Sequence, residues 1–226
     1  MQAVILVAGR GTRMGDLTEN TPKPMLKIKD KPILEHKLKG LPKEIDEVIL
    51  IVGYKKEIIK DYFGDTYGNI RIRYIEQFEL DGTAGAIKLA EKYVHDRFLV
   101  LMGDDLYAQD DLNRLMKYNF ALLTYKTKQA QQFGLIEVDS NGNLLDVIER
   151  PHNKEEGLVN IGAYTISKSY FKYEMVKISE TEYGLPQTLA SASKKHNVKI
   201  LETNKWQPIG SPSDLVEAER NIKTFL

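Results

Sequence analysis

The 226-residue chain contains no cysteine and only four histidines. The absence of cysteine excludes a disulfide framework, a thiolate zinc site and a cysteine nucleophile. The histidines are scattered and form no H-E-x-x-H pair or similar cluster. We therefore expect any bound metal to be a hard ion held by oxygen ligands.

The chain also lacks net charge, because its 32 Lys and Arg residues balance its 32 Asp and Glu residues. No global field attracts nucleic acid or anionic lipid, so we expect neither as a partner. No apolar run approaches the about 18 residues that a membrane-spanning helix needs, and the N-terminus has no secretory signal pattern. These absences predict a cytoplasmic location. The composition, 42% hydrophobic and 28% charged, is typical of a globular protein with a real core.

Apolar runs of strand length alternate with helical patterns in the first half of the chain. The runs lie at 3–8, 47–52 and 98–102, and each breaks into a glycine-containing loop. Helical spacing of apolar residues lies between and after them, at 33–41, 55–63 and 83–94. This rhythm predicts an α/β fold with a three-layer, Rossmann-like, mostly parallel sheet and helices on both faces. Such sheets bind ligands at the carboxyl ends of their strands.

The second half contains shorter strand patterns, and the turn-rich segment 139–143 between two of them predicts a hairpin. Helical patterns follow near 185–196 and 213–225, and no linker or internal repeat interrupts the chain. We predict a single domain over residues 1–226, with one lobe at about 1–110 and a smaller, β-rich lobe at about 111–226. The predicted strands of the second half lie at 121–125, 134–138, 144–148 and 161–166.

Three short motifs carry the candidate chemistry. The glycine-rich segment 9–15 follows the first strand, where small residues let backbone N–H groups approach a phosphate and Arg13 adds a cation. Lys23 stands between two prolines that stiffen the backbone. Asp104 follows an apolar strand, where one carboxylate together with substrate phosphates suits Mg²⁺. Taken singly, each motif also fits an ordinary turn, a solvated lysine or a capping aspartate.

In combination and in order, these motifs resemble the sugar-1-phosphate nucleotidyltransferase family. The resemblance extends from Ala3 to about Leu215. Besides the three motifs above, the resemblance includes a Gln followed by Gly-Thr, a Phe-Gly pair, a Glu-Arg-Pro where the family has Glu-Lys-Pro, and a strand with Asn-x-Gly. The matching segments are 7–14, Pro22-Lys23-Pro24-Met25, 31–36, Gln77 with Gly82-Thr83-Ala84, Asp104, Phe133-Gly134, Glu149-Arg150-Pro151 and Asn160-Ile161-Gly162.

The resemblance implies transfer of a nucleotidyl group from a nucleoside triphosphate, with UTP or dTTP favoured, to a sugar 1-phosphate. The products would be a nucleotide sugar and pyrophosphate, with Mg²⁺ as the cofactor. It assigns catalysis to Arg13, Lys23 and Asp104, the last as metal ligand, and makes the second lobe the sugar-binding one. The implied nucleotide-binding residues are Ala8, Gly9, Gly11, Thr12, Arg13, Gln77, Gly82 and Thr83. The implied sugar-phosphate-binding residues are Gly134, Glu149, Arg150 and Asn160.

The chain departs from the family where a late Trp-x-Asp motif supplies a second metal ligand. Here that motif reads Trp206-Gln207-Pro208, and a proline side chain cannot bind Mg²⁺. Either one protein ligand suffices, or Asp105 substitutes, or activity is damaged; we favour the first. The chain ends soon afterwards, so the resemblance implies a short form without the C-terminal β-helix of some relatives, and we expect no second activity.

Three alternatives stay open from the sequence alone. The fold could serve a non-catalytic nucleotide-sugar-binding regulatory protein, with Pro208 marking lost catalysis. A mannose-1-phosphate guanylyltransferase shares the Gly-Thr-Ala-Gly string at 82–85. A phosphocholine cytidylyltransferase-like enzyme shares the opening motifs. The base, the sugar and the pathway are not readable from the sequence, and a homo-oligomer is neither indicated nor excluded.

Overall fold

The computed structural model describes residues 1–225, which form sixteen strands, six α-helices and five short 3-10 helices. The strands are β1 Gln2–Val7, β2 Lys27–Ile28, β3 Lys31–Pro32, β4 Glu47–Val52, β5 Thr66–Tyr67, β6 Ile70–Glu76, β7 Arg97–Met102, β8 Leu106–Tyr107, β9 Phe120–Thr127, β10 Leu135–Val138, β11 Leu144–Ile148, β12 Gly157–Ser167, β13 Val176–Lys177, β14 Tyr183–Gly184, β15 Lys199–Thr203 and β16 Trp206–Gln207. The α-helices are α1 Ile33–Lys39, α2 Lys56–Phe63, α3 Gly82–Lys88, α4 Gln109–Leu115, α5 Leu185–Ser193 and α6 Pro212–Asn221. The 3-10 helices are Thr12–Thr18, Lys23–Met25, Ala130–Gln132, Lys168–Lys172 and Ile222–Phe225.

Four parallel strands form the centre of a ten-stranded sheet. β1 lies between β4 and β7, and β4 pairs in parallel with β6. Val4 and Ile5 point to opposite faces of β1 and are both fully buried, because the sheet is covered on both sides. The three apolar runs of the first half of the sequence are β1, β4 and β7, which confirms the predicted α/β fold with a parallel centre.

Helices cover both faces of the sheet and produce three layers. On one face, Leu38 of α1, Ile59 of α2 and Leu112 of α4 belong to the same buried cluster as Ile5. On the other face, α3 and α5 contribute to the cluster that contains Val4. Within residues 1–225, no helix is long and apolar enough to cross a membrane.

The second half of the chain extends the same sheet with antiparallel strands. β12 pairs with β7 through its last part and with β10 at Val159, while β9 pairs with β12 along both of these parts. β15 is parallel to β9. The predicted hairpin joins β10 to β11. Its loop is closed by the Asp139 carboxylate, which accepts hydrogen bonds from the backbone N–H groups of Asn141 and Asn143, both at 2.8 Å.

Several elements differ from the sequence-based expectation. The helix predicted over 83–94 ends at Lys88, although Ala90 and Val94 stay fully buried in the turns that follow. The periodic apolar residues after Lys88 therefore indicate burial, but the backbone of that segment is not α-helical. Strand β6 was not predicted, because Arg71 and Arg73 interrupt its apolar pattern beside the edge strand β5. Helix α4 and strand β15 were missed as well.

Leu50, in the centre of β4, is the position at which we test how much this core contributes to the stability of the fold. We expect Leu50→Ala to lower the free energy of unfolding by about 2–5 kcal/mol, since it removes buried apolar surface and leaves a cavity. Leu145→Ala is the matched control, because Leu145 is 56% exposed on β11 and such surface changes stay within about 0.5 kcal/mol. Urea unfolding followed by circular dichroism measures both. Equal losses would contradict the placement of the core.

Candidate active site

The predicted site residues of the first half meet at the carboxyl edge of the parallel strands. Ala8 and Gly9 follow β1, Gln77 follows β6, and Asp104 follows β7 by two residues. Because these strands are parallel neighbours, the chain leaves each of them at the same edge of the sheet, the edge formed by their carboxyl ends. Segments far apart in the sequence thereby lie at one edge of the sheet.

The glycine-rich loop is folded against the proline-flanked lysine. Gly11 has a left-handed φ of 70°, and a Cβ there would lie 2.8 Å from Cβ of Lys23, so both the conformation and the close approach require glycine. Gly9 has open space around it. Thr12 and Arg13 are exposed at the start of the following 3-10 helix. The loop thus presents backbone and a cation to the cleft.

Lys23 and Asp104 form the central ion pair of the site. Nζ of Lys23 lies 2.6 Å from Oδ2 of Asp104. The Lys23 residue is only 5% exposed, whereas the Asp104 side chain is 34% exposed. Pro22 and Pro24 flank the lysine within a short 3-10 segment. The ammonium is therefore held in place beneath a carboxylate that faces solvent.

The donor set around Asp104 decides which kind of metal fits. Its Oδ2 is taken by Lys23, while its Oδ1 makes no hydrogen bond within the described part of the chain. Residues 1–225 contain no group of three or more His, Asp or Glu that could hold a metal. One carboxylate with a free oxygen suits Mg²⁺, which keeps several waters and takes its other ligands from phosphates. The arrangement does not suit a closed structural metal site.

The late Trp-Gln-Pro segment lies beside this carboxylate. β16 pairs antiparallel with β8, with Gln207 opposite Leu106, and continuing that register brings Pro208 level with Asp105. Nε1 of Trp206 donates to Oδ2 of Asp105 at 3.2 Å. The segment therefore reaches the site without bringing a carboxylate, and the adjacent Asp105 is engaged by the protein.

Arg13 approaches the same late segment. A Cβ on Gly210 would lie 3.7 Å from Nη1 of Arg13, so the guanidinium is packed near that glycine. The backbone N–H groups of Gly210 and Ser211 both donate to Oδ2 of Asp214 at 2.8 Å, which holds the loop at the start of α6. The loop that would carry the second metal ligand in the family is thus ordered next to the predicted phosphate-binding arginine.

Two further charged groups, Asp105 and Lys37, lie behind the ion pair. Burial raises the pKa of Asp105, and the neighbouring Asp104 charge raises it further, while Lys37 and the Trp206 hydrogen bond oppose this rise. Burial likewise lowers the pKa of Lys37, and the Asp105 and Asp104 carboxylates oppose that fall. Each of the two groups therefore stabilises the charged form of the other.

The predicted base-reading residues form a second cluster. Gln77 is 7% exposed, and its Nε2 donates to Oδ1 of Asp81 at 2.9 Å. Gly82 has φ 92°, and a Cβ there would lie 2.4 Å from the backbone oxygen of Tyr183, so no other residue fits. Oγ1 of Thr83 accepts a hydrogen bond from the N–H of Leu185 at 2.9 Å. The base-reading segment is therefore packed against β14 and the start of α5.

The predicted sugar-binding residues form a third cluster. A Cβ on Gly134 would lie 3.6 Å from Oε2 of Glu149 and 4.0 Å from Cβ of Asn160, so the three residues surround one space. Oδ1 of Asn160 accepts a hydrogen bond from the Tyr164 hydroxyl at 2.8 Å. Arg150 has a half-exposed side chain, with its Nε 3.8 Å from Oε1 of Glu149. β12 carries Asn160 to the same edge of the sheet as Asp104.

Two residues of the site were missed from the sequence. Gln187 of α5 donates from Nε2 to Oε2 of Glu149 at 3.1 Å, and thereby orients that carboxylate. Lys37 of α1 is 5% exposed. A signal for Lys37 existed, because it follows Ile33 by four residues and Leu34 by three and so falls on the apolar face of the helix. For Gln187 no local signal exists.

Comparison with known proteins identifies the family. Residues 2–224 match the nucleotidyl transferase family. The chain is 40% identical over 225 residues to the bifunctional protein GlmU of Methanocaldococcus jannaschii, which covers 98% of this chain and 54% of that protein. It is 30% identical over 235 residues to the UTP–glucose-1-phosphate uridylyltransferase AglF of Haloferax volcanii, covering 99% of this chain and 97% of that one. The chain spans about half the length of the GlmU proteins that it matches.

A third relative and a solved structure complete the comparison. The chain is 41% identical over 175 residues to the D-glycero-alpha-D-manno-heptose 1-phosphate guanylyltransferase of Campylobacter jejuni, covering 76% of this chain and 78% of that protein. A structure of UDP-glucose pyrophosphorylase complexed with UDP-glucose superposes with a TM-score of 0.82 at 21% identity, over 98% of each chain, and this likeness supports the fold. The chain therefore belongs to the nucleotidyl transferase family, as its motifs predicted.

Proposed function

We propose that this protein transfers a nucleotidyl group from a nucleoside triphosphate to a sugar 1-phosphate, with Mg²⁺ as cofactor. The observation that carries the proposal is the Lys23–Asp104 pair, with 2.6 Å between Nζ and Oδ2 at the carboxyl edge of the parallel sheet. A buried, preorganised cation beside a carboxylate with a free oxygen suits a reaction between two multiply charged phosphates. Membership of the nucleotidyl transferase family supports the same chemistry.

In this reaction, a phosphate oxygen of the sugar 1-phosphate forms a bond to the α-phosphorus of the triphosphate. The bond from that phosphorus to the oxygen bridging to the β-phosphate breaks, and pyrophosphate leaves with the electron pair. Lys23 neutralises the α-phosphate or the attacking sugar phosphate, and Arg13 holds the β- and γ-phosphates. Asp104 would hold Mg²⁺, and the ion would supply further positive charge to the phosphates. Protein catalysis is then charge neutralisation and in-line positioning.

The remaining first-half residues would bind the nucleotide through backbone groups. Ala8, Gly9 and Gly11 lie along the loop after β1. The open space around Gly9 would allow close approach of a phosphate, while Gly11 lets the loop lie against Lys23. Thr12 is exposed beside Arg13 at the start of the 3-10 helix. This loop and the Lys23 segment would enclose the triphosphate from two sides.

The sugar would occupy the space bordered by Gly134, Glu149 and Asn160. Oε2 of Glu149 accepts a hydrogen bond from Gln187 at 3.1 Å, which leaves the carboxylate oriented to accept further hydrogen bonds from sugar hydroxyls. A side chain at position 134 would enter this space. Arg150, with its exposed guanidinium, would contact the sugar phosphate from outside.

We propose a uridine or thymidine base, read by Gln77 with Gly82 and Thr83. Nε2 of Gln77 is committed to Asp81, so its Oε1 is directed to accept a hydrogen bond such as that from the N3–H of a pyrimidine imide. The 30% identity to a UTP-dependent relative over nearly its whole length supports this base. A guanine base is the second candidate, since the Asp81 carboxylate next to Gln77 is an acceptor suited to a guanine amino group, and the relative with a guanylyltransferase name is 41% identical.

The substrate pair is found by measuring pyrophosphate release with Mg²⁺ present. The grid crosses four nucleoside triphosphates and dTTP with glucose, mannose, galactose and N-acetylglucosamine 1-phosphates and phosphocholine. We expect turnover with UTP or dTTP and one sugar 1-phosphate. Turnover with GTP alone would favour the guanine candidate, and turnover with phosphocholine alone would contradict the sugar assignment. Tight binding of a nucleotide sugar without turnover would instead indicate a regulatory binding protein, with Pro208 marking the lost ligand.

Lys23 is expected to carry much of the rate. Lys23→Ala should lower kcat by about 10²- to 10³-fold, the range measured when one preorganised donor to a developing anion is removed. Lys117→Ala is the matched control, since Lys117 is exposed and lies after α4, away from the strand ends. Steady-state pyrophosphate release measures both, and thermal melting establishes that each variant is folded. An unchanged kcat in a folded Lys23→Ala protein would place the site elsewhere.

Gln77 is expected to set the preference among bases. Gln77→Ala should reduce the ratio of kcat/KM between the best and second-best nucleoside triphosphates by about 10-fold or more, because a lost hydrogen bond to one base edge removes discrimination. Gln132→Ala, at an exposed position of the 3-10 helix after β9, is the control. If the wild-type protein binds all nucleoside triphosphates equally, Gln77 has no base-reading role.

A further inference from the structure

Lys37 is a buried lysine that the proposed reaction does not yet use. Its Nζ donates to the backbone carbonyl oxygen of Asp105, which directly follows Asp104. The same ammonium lies 4.4 Å from the centroid of the Tyr107 ring, in cation–π geometry. Burying an ammonium is unfavourable unless such partners offset the loss of hydration. Lys37 therefore joins helix α1 directly to the chain segment that carries Asp104.

Asp105 attaches the same segment to β16. Its Oδ2 accepts a hydrogen bond from Nε1 of Trp206 at 3.2 Å and lies 3.5 Å from the Tyr107 hydroxyl oxygen. The Tyr107 hydroxyl has one proton, and its shortest hydrogen bond is the one that it donates to the backbone oxygen of Ile161 at 2.8 Å. The late Trp-Gln-Pro segment is thus attached to the Asp104 segment by a protein hydrogen bond.

The other side of Asp104 is held just as firmly. The N–H of Gly103 donates to the backbone oxygen of Leu6 at 2.9 Å. A Cβ on Gly103 would lie 2.4 Å from Cγ1 of Val7 and 2.6 Å from the backbone oxygen of Leu6, so glycine is needed for this close approach to β1. Asp104, with a side chain that is 34% exposed, therefore lies between a neighbour fixed to β1 and a neighbour fixed to α1 and β16.

We infer that Lys37 and Asp105 are positioning residues, which hold the Asp104 carboxylate and the Trp206–Pro208 segment in fixed places around the phosphates. This inference rests on the proposed function, since it assigns Asp104 to the metal. It also explains how the site is assembled with Pro208 in the late motif. The link between the two segments is made by Asp105 and Trp206, and no carboxylate at position 208 is needed to form it.

A positioning role and a simple charge effect predict opposite results for the metal. If Lys37 acted only as a distant positive charge, its removal would strengthen cation binding at Asp104. If it holds the backbone of Asp105, its removal lets the carboxylate move and weakens cation binding. Asp105→Asn separates the two cases as well, because the amide oxygen still accepts from Trp206 while the negative charge is lost.

The test uses Lys37→Met, Asp105→Ala and Asp105→Asn in the full chain. We expect the first two to weaken Mn²⁺ binding in the presence of nucleoside triphosphate, measured by electron paramagnetic resonance, by about 10- to 100-fold, as for groups that orient a metal ligand. The Mg²⁺ concentration for half-maximal turnover should rise and kcat should fall, while KM for the sugar 1-phosphate stays within about 3-fold of wild type because the sugar residues are untouched. Asp105→Asn should keep most of the wild-type Mn²⁺ affinity.

Glu47→Gln is the matched control for loss of a buried charge. Glu47 is 6% exposed and accepts hydrogen bonds from Gln2 and Arg73 at the opposite edge of the sheet. The Glu47→Gln substitution should lower the melting temperature without changing Mn²⁺ binding or kcat.

Several outcomes would overturn the inference. Tighter Mn²⁺ binding in Lys37→Met would mean that Lys37 acts only through its charge. Equal losses of Mn²⁺ affinity in Asp105→Asn and Asp105→Ala would likewise mean that Asp105 acts only through its charge. A lower melting temperature with unchanged Mn²⁺ affinity, as in Glu47→Gln, would mean a purely structural role. If Lys37→Met does not fold, the comparison of the two Asp105 variants decides the question alone. If the wild-type protein has no turnover, the proposed function fails, while Mn²⁺ binding still tests the inference separately.

Discussion

The parallel pairing of β1 with β4 and β7 is the constraint on which the candidate site depends. Because these strands run in one direction, the glycine-rich loop and Asp104 leave the sheet at the same edge. The N–H of Gly103, the residue after β7, donates to the backbone oxygen of Leu6 in β1. This hydrogen bond continues the pairing of β1 with β7 past the end of β7. The sheet can hold this arrangement because its central residues are buried on both faces, which makes the register of these strands costly to shift.

Charge is organised in two layers at that edge. The outer layer is the Lys23–Asp104 pair, which faces the cleft, and the inner layer contains Lys37 and Asp105. Two like charges on adjacent residues would repel, and a buried charge without a partner is strongly destabilising. Each carboxylate here has an ammonium nearby, so the edge can present one free carboxylate oxygen without accumulating negative charge.

The start of α5 contacts residues of both halves of the chain. The N–H of Leu185 donates to Thr83, and Gln187, two residues further along α5, donates to Glu149. Tyr183 lies against Gly82 so closely that only glycine fits. The start of α5 therefore connects the cluster proposed to read the base with the cluster proposed to bind the sugar.

The sequence by itself determined the class of fold, the family and seven of the ten strands of the main sheet, because continuous apolar runs and motif order are local properties. The strands at 47–52 and 144–148 agree with β4 and β11 in both bounds. Only the tertiary structure decided that Lys37 faces Asp105, that Gln187 orients Glu149, and that the segment of Pro208 is attached through Trp206. These contacts join residues more than thirty positions apart in the chain, and their geometry depends on how helices pack on the sheet, which no local pattern records.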